Sequence, residues 1–158
     1  MRSCFMALGL SFVLTVPAFA GATTETHTTL ISAYEGSATA QYQLALMLMT
    51  GKGVEQDKKL AASWFQCAAN QGVTDAQYQL AQLELKNEAP GGKTAAYKWL
   101  LLSEGQNAER AALRKQVEAD LTPPLVSIIR KQAATWKPKI QPLVPYVKGQ
   151  RPACFDEK

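Results

Sequence analysis

Apolar side chains recur along this chain at spacings of three and four, the period of helices that bury one face. Between Ser37 and Met49 the stripe is Ala40, Leu44, Ala45 and Leu48, with Ser37 placed as an N-cap and Gly51 as the stop. Gly51-Lys52-Gly53 makes a turn. Asp57 then caps a second helix that runs to about Gln71. Its apolar side is Leu60, Ala61, Trp64, Phe65, Ala68 and Ala69, and Gly72 ends it. A third helix opens at Thr74 or Asp75 and carries Ala76, Leu80, Ala81 and Leu83. Pro90, Gly91 and Gly92 break it before Lys93–Ser103, the helix of Ala96, Trp99 and Leu100. Asn107–Leu121 and a helix capped by Thr122, with Pro123 in its first turn, make a last pair. Leu125, Ile128, Ile129, Ala133 and Trp136 form the stripe of its second arm, and Leu30–Tyr34 reads as a short helix at the front. From Lys137 onward Pro138, Pro142, Pro145 and Pro152 forbid a long helix and leave an extended tail.

The blocks are copies. Ala40-Gln41-Tyr42-Gln43-Leu44-Ala45 returns as Ala76-Gln77-Tyr78-Gln79-Leu80-Ala81, a spacing of 36. A fixed period of this size marks an all-α array in which each helix pair covers its neighbour's apolar face. Trp64 and Trp99 return at 35, one residue short, as a single deletion in the second loop would produce. Both belong in the core, where large rings fill the gaps left by alanines.

The first 20 residues have a different character. Arg2 supplies a positive start, Cys4–Val16 is apolar, and Pro17-Ala18-Phe19-Ala20 offers small residues where a signal peptidase cuts. The apolar run of about 13 residues falls short of the ~20 that span a bilayer. Cleavage after Ala20 leaves 138 residues and directs the product to the periplasm or the medium. The expected division is a signal segment over 1–20, an N-terminal segment over 21–36, repeats over 37–72 and 73–106, a closing hairpin over 107–137 and a proline-rich basic tail over 138–158.

Charge and cysteines add to this. Residues 21–120 hold nine basic and eleven acidic side chains, whereas 121–158 hold seven and two. The cationic end either meets an anionic surface or merely keeps the tail soluble. Nothing resembles a nucleic-acid module. With Cys4 removed, Cys67 and Cys154 remain. In an oxidising compartment they pair or stay two thiols, and a bond would close a loop of about 87 residues.

Ala40–Ala45, Gly51-Lys52-Gly53-Val54, Gln56-Asp57, Ala61-Ala62, Trp64-Phe65, Ala68-Ala69 and Gly72 together closely resemble one unit of the Sel1-like repeats, relatives of the tetratricopeptide repeats. The second unit is similar but lacks the Gly-x-Gly-Val turn. Leu121-Thr122-Pro123 with Trp136-Lys137-Pro138 resembles the family's closing hairpin. The resemblance implies a right-handed superhelix of about three antiparallel helix pairs, serving as an adaptor for another protein. Exported relatives with a cysteine pair in every unit are linked to penicillin-like compounds, and this chain lacks that pattern. The family usually has lysine where Cys67 stands, which implies an accessible position there.

In such an array the first helix of each unit lines the concave side. The stripe left after packing is Thr39, Tyr42, Leu46 and Met49, matched by Asp75, Tyr78, Gln82 and Leu85. Tyrosine offers contact area with a polar tip. Tyr42 and Tyr78 either face a peptide or protein in that groove or pack on the next helix. Arg110 and Arg114 extend the stripe if the third pair aligns. A hydrolase acting on cell-wall material or a penicillin-like compound is the alternative, but it needs a nucleophile with a base, or a metal cluster. The single histidine, His27, lies near the start of the exported chain, and no Cys/His spacing stands out. The expectation is a non-catalytic adaptor without metal or cofactor.

Overall fold

A computed structural model describes residues 24–87, 90–103, 105, 107–142 and 153–155. The expected signal segment over 1–20 lies outside them, as do Pro145 and Pro152. The described residues form seven α-helices and a single 3-10 turn at Ala153–Phe155, with no strand among them. The helices are α1 (Thr24–Tyr34), α2 (Ala38–Thr50), α3 (Lys58–Asn70), α4 (Thr74–Lys86), α5 (Gly92–Ser103), α6 (Ala108–Ala119) and α7 (Pro123–Thr135). Each of α1 to α5 packs on the next in chain order, and α7 folds back on α5. The result is an all-α repeat solenoid.

Local chemistry accounts for most boundaries. The Ser37 hydroxyl accepts from the Ala40 N–H at the start of α2, and the Asp57 carboxylate from Lys59 and Leu60 at the start of α3. Asn107 does the same for Arg110 in α6. Gly51 ends α2 in the left-handed region, with its N–H returning to Met47.

Several expectations change. The front helix begins at Thr24, not Leu30, and carries His27 exposed on its surface. The helix α4 opens at Thr74, as expected, with Val73 as its cap. The Val73 N–H still bonds Ala68 of α3 while its carbonyl accepts from Gln77, so one residue closes one helix and opens the next. Thr122 precedes α7 without a side-chain cap bond, and Pro123 leaves one fewer N–H to satisfy. Ile128 is 54% exposed, because α7 turns Ile129 inward and packs on one side only. Val126, half-buried against the core, joins Leu125 in its place.

The core runs the length of the stack. Trp64 and Trp99 are buried, as are Phe65, Tyr97 and Leu100, and alanines at 45, 61, 68, 69, 76, 81 and 96 are almost without exposure. These alanines bring the helix axes close, so the aromatic rings fill what remains. At the closing end, the Tyr97 hydroxyl donates to Glu118 at 2.8 Å. Arg130 donates to that hydroxyl and to Glu118, and Arg114 to Glu118. One carboxylate thereby joins α5, α6 and α7.

Candidate interaction groove

The first helices of the three pairs, α2, α4 and α6, carry corresponding positions. Thr39 and Asp75 are 36 apart, and Asp75 and Arg110 are 35 apart, the same shortened interval as Trp64 to Trp99. The structure brings the second and third of these together. The Arg110 guanidinium pairs with the Asp75 carboxylate, donates to the Ser103 carbonyl at 3.0 Å, and lies 4.9 Å from the centre of the Tyr78 ring. The Tyr78 hydroxyl donates to Glu109 at 3.0 Å, and Gln82 stands beside it. Burial, then the bond to Glu109, raise the Tyr78 hydroxyl above its ordinary value.

Tyr42 lies on the neighbouring helix. Its ring tilts against Phe65 of α3 with centroids 5.8 Å apart, so half of the side chain is used in packing. Its hydroxyl makes no hydrogen bond among the described residues. Burial raises this hydroxyl, the charge of Asp75 adds to the effect, and Arg110 opposes it. Tyr42, Asp75, Tyr78 and Arg110 therefore share one electrostatic neighbourhood across three helices.

The remaining stripe positions divide. Thr39 is exposed on α2. Met49 and Leu85 are half-buried against the core. Leu46 opens onto a separate cavity of about 560 Å³ between α1 and α2, together with Glu25, Thr29 and Met47. Arg114 turns toward Glu118 and belongs to the closing hairpin. Glu109 was not singled out in the sequence. At the 35 spacing it corresponds to Thr74, which has no charge, so the repeat gives no signal for it.

Cys67 is bonded to Cys154. The position is not accessible, contrary to what lysine in the family implies: Cys67 is 1% exposed and Cys154 4%. The tail itself covers the site, and Phe155 sets its ring edge against Trp64 with centroids 4.9 Å apart.

The Sel1 repeat model matches residues 38–73 and 74–103. The chain carries two Sel1 repeats. They correspond to α2–α3 and α4–α5, and α6–α7 follows as a further pair. Sel1 repeats make a helical protein-interaction domain, and proteins built from them are generally non-catalytic adaptors. Comparison with curated proteins and with solved structures gave no match. Among the described residues no group of three His, Cys, Asp or Glu is placed to hold a metal ion, and no helix is long and apolar enough to cross a membrane.

Proposed function

We propose that the Sel1 array is an exported adaptor that holds a peptide or protein segment of the cell envelope on the wall formed by α2, α4 and α6. One observation carries this. The Tyr42 hydroxyl has no hydrogen bond among the described residues and lies near enough to the Asp75–Arg110 pair to feel both charges, and Arg110 in turn lies over the Tyr78 ring. An aromatic surface with a free polar tip, bordered by fixed charges, suits a polypeptide that brings both apolar side chains and backbone hydrogen-bonding groups. Thr39, Met49, Gln82 and Leu85 extend the wall at its edges, and Leu46 faces the separate cavity between α1 and α2.

Export rests on the N-terminal pattern of Arg2, the apolar run Cys4–Val16 and Ala18-Phe19-Ala20, with Gly21 as the first residue of the product. A bonded Cys67–Cys154 pair fits an oxidising compartment. The basic end adds an electrostatic attraction to anionic envelope material that fades with salt.

The test is capture from envelope extracts by the processed protein, at low and high salt, beside the Tyr42→Ala/Tyr78→Ala double variant. The partner is lost with the tyrosines at both salt concentrations while circular dichroism stays unchanged. Undiminished capture by the double variant removes the groove assignment.

A further inference from the structure

The B-to-A turns of the array, where the second helix of one pair passes to the first helix of the next, lie along one edge. Gly36 and Gly72 sit in two of these turns, 36 residues apart, at φ 104° and 93°. Both take a conformation that favours glycine, and both are approached by the tail. A Cβ on Gly72 would lie 3.1 Å from the Pro138 ring, and one on Gly36 would lie 3.2 Å from the Pro142 carbonyl. One proline thus rests on each inter-repeat glycine.

Between the prolines the tail is read by hydrogen bonds. The Lys139 N–H donates to the Asn70 carbonyl at 2.8 Å. The Gln141 N–H donates to the Gln71 side-chain oxygen at 3.3 Å. The Gln41 amide donates to the Gln141 side-chain oxygen and to the Ala33 carbonyl, each at 3.2 Å. Gln71 closes the set by donating to Gln41 at 2.8 Å and to the Gly36 carbonyl at 3.1 Å. Three glutamines from α2, the α3–α4 turn and the tail form one network. Gln77, the copy of Gln41 in the next unit, donates to Ala69 at 3.1 Å, and its side-chain oxygen is buried without a donor among the described residues.

We propose that this turn edge is a second binding surface, a rail for an extended segment bearing prolines four apart with a glutamine between them, and that residues 137–142 of this chain are its resident occupant. Backbone bonds supply affinity, and the two glycines and the Gln41–Gln71 pair supply selectivity, the division of labour seen wherever an extended chain is read. The occupied rail bridges the α1–α2 and α3–α4 junctions, so it fixes the angle between units and with it the separation of Tyr42 from Tyr78. The surface is distinct from the groove and does not depend on the partner held there.

The experiment removes the covalent tether and asks whether the rail still holds the tail. Amide hydrogen exchange is measured on the full chain, oxidised, and as Cys67→Ser/Cys154→Ser. The Lys139 and Gln141 amides are expected to exchange at least about tenfold slower than in the free peptide spanning Trp136–Pro142, in both proteins. Exchange at the free-peptide rate in the double variant overturns the proposal, because the disulfide alone then held the tail. Should the double variant not fold, Gln141→Ala in the oxidised chain is the deciding measurement. Faster exchange at Lys139 with unchanged helix protection supports the rail, and unchanged exchange at Lys139 overturns it.

Discussion

Arg110 of α6 lies over the ring of Tyr78 of α4, its guanidinium carbon 4.9 Å from the ring centre. The same guanidinium pairs with Asp75 and holds the Ser103 carbonyl, so one side chain fastens the third helix pair to the second Sel1 repeat.

Arg110→Ala is expected to cost about 1–2 kcal/mol of stability, the sum of one neutral hydrogen bond, a partly exposed ion pair and a cation–ring contact. Chemical denaturation measures this. Partner capture should weaken as well, since Tyr78 and Asp75 lose their common anchor. A stability loss within 0.5 kcal/mol of zero, as at an ordinary surface position, would show that Arg110 does not fasten the third pair.

Trp64→Ala is expected to cost about 3–5 kcal/mol. Trp64 is 1% exposed and meets both Tyr34 of α1, at 5.1 Å, and Phe155 of the tail, at 4.9 Å. Its removal opens a cavity bordered by three separate segments. Thermal unfolding should show the loss together with earlier release of the tail.

Opening the Cys67–Cys154 bond is expected to destabilise by about 2–5 kcal/mol, since the bond spans 87 residues of sequence and its loss restores freedom to the unfolded chain. Comparing the oxidised chain with Cys67→Ser/Cys154→Ser by denaturant titration checks it. Equal midpoints would mean that native packing already supplies the constraint.

Glu118 gives the closing hairpin an acid dependence. The hydrogen bond from Tyr97, with the charges of Arg130 and Arg114, holds this carboxyl below its ordinary value despite opposing burial. A depressed carboxylate contributes stability that is present above the unfolded-state pKa and lost as pH falls through the folded-state one. Unfolding midpoints from neutral pH to below the ordinary glutamate range should fall more steeply in the native chain than in Glu118→Gln. Parallel curves would place the acid sensitivity elsewhere.

Much of this fold was legible before any coordinates. The repeat of Ala-Gln-Tyr-Gln-Leu-Ala at 36 places α2 and α4, and Trp64 and Trp99 place their partners, because helix periodicity and small-residue packing are local consequences of residue order. Capping by Ser37, Asp57 and Asn107 is equally local. The inward or outward turn of Ile128 was not, since it depends on α7 folding back on α5. Nor was the reach of α1 back to Thr24, whose threonines carry no apolar stripe.

The candidate sites divide the same way. The sequence by itself determined which residues stand on which helix face, and so named Tyr42, Asp75 and Tyr78 as companions. Only the tertiary structure decided that Arg110 joins them while Arg114 does not, that Cys67 is covered, and that Pro138 and Pro142 land on Gly72 and Gly36. The reason is range. A helix face repeats every few residues and is written in the chain, whereas the tail meets Gln41 across 100 residues, at a place set by how the helix pairs stack.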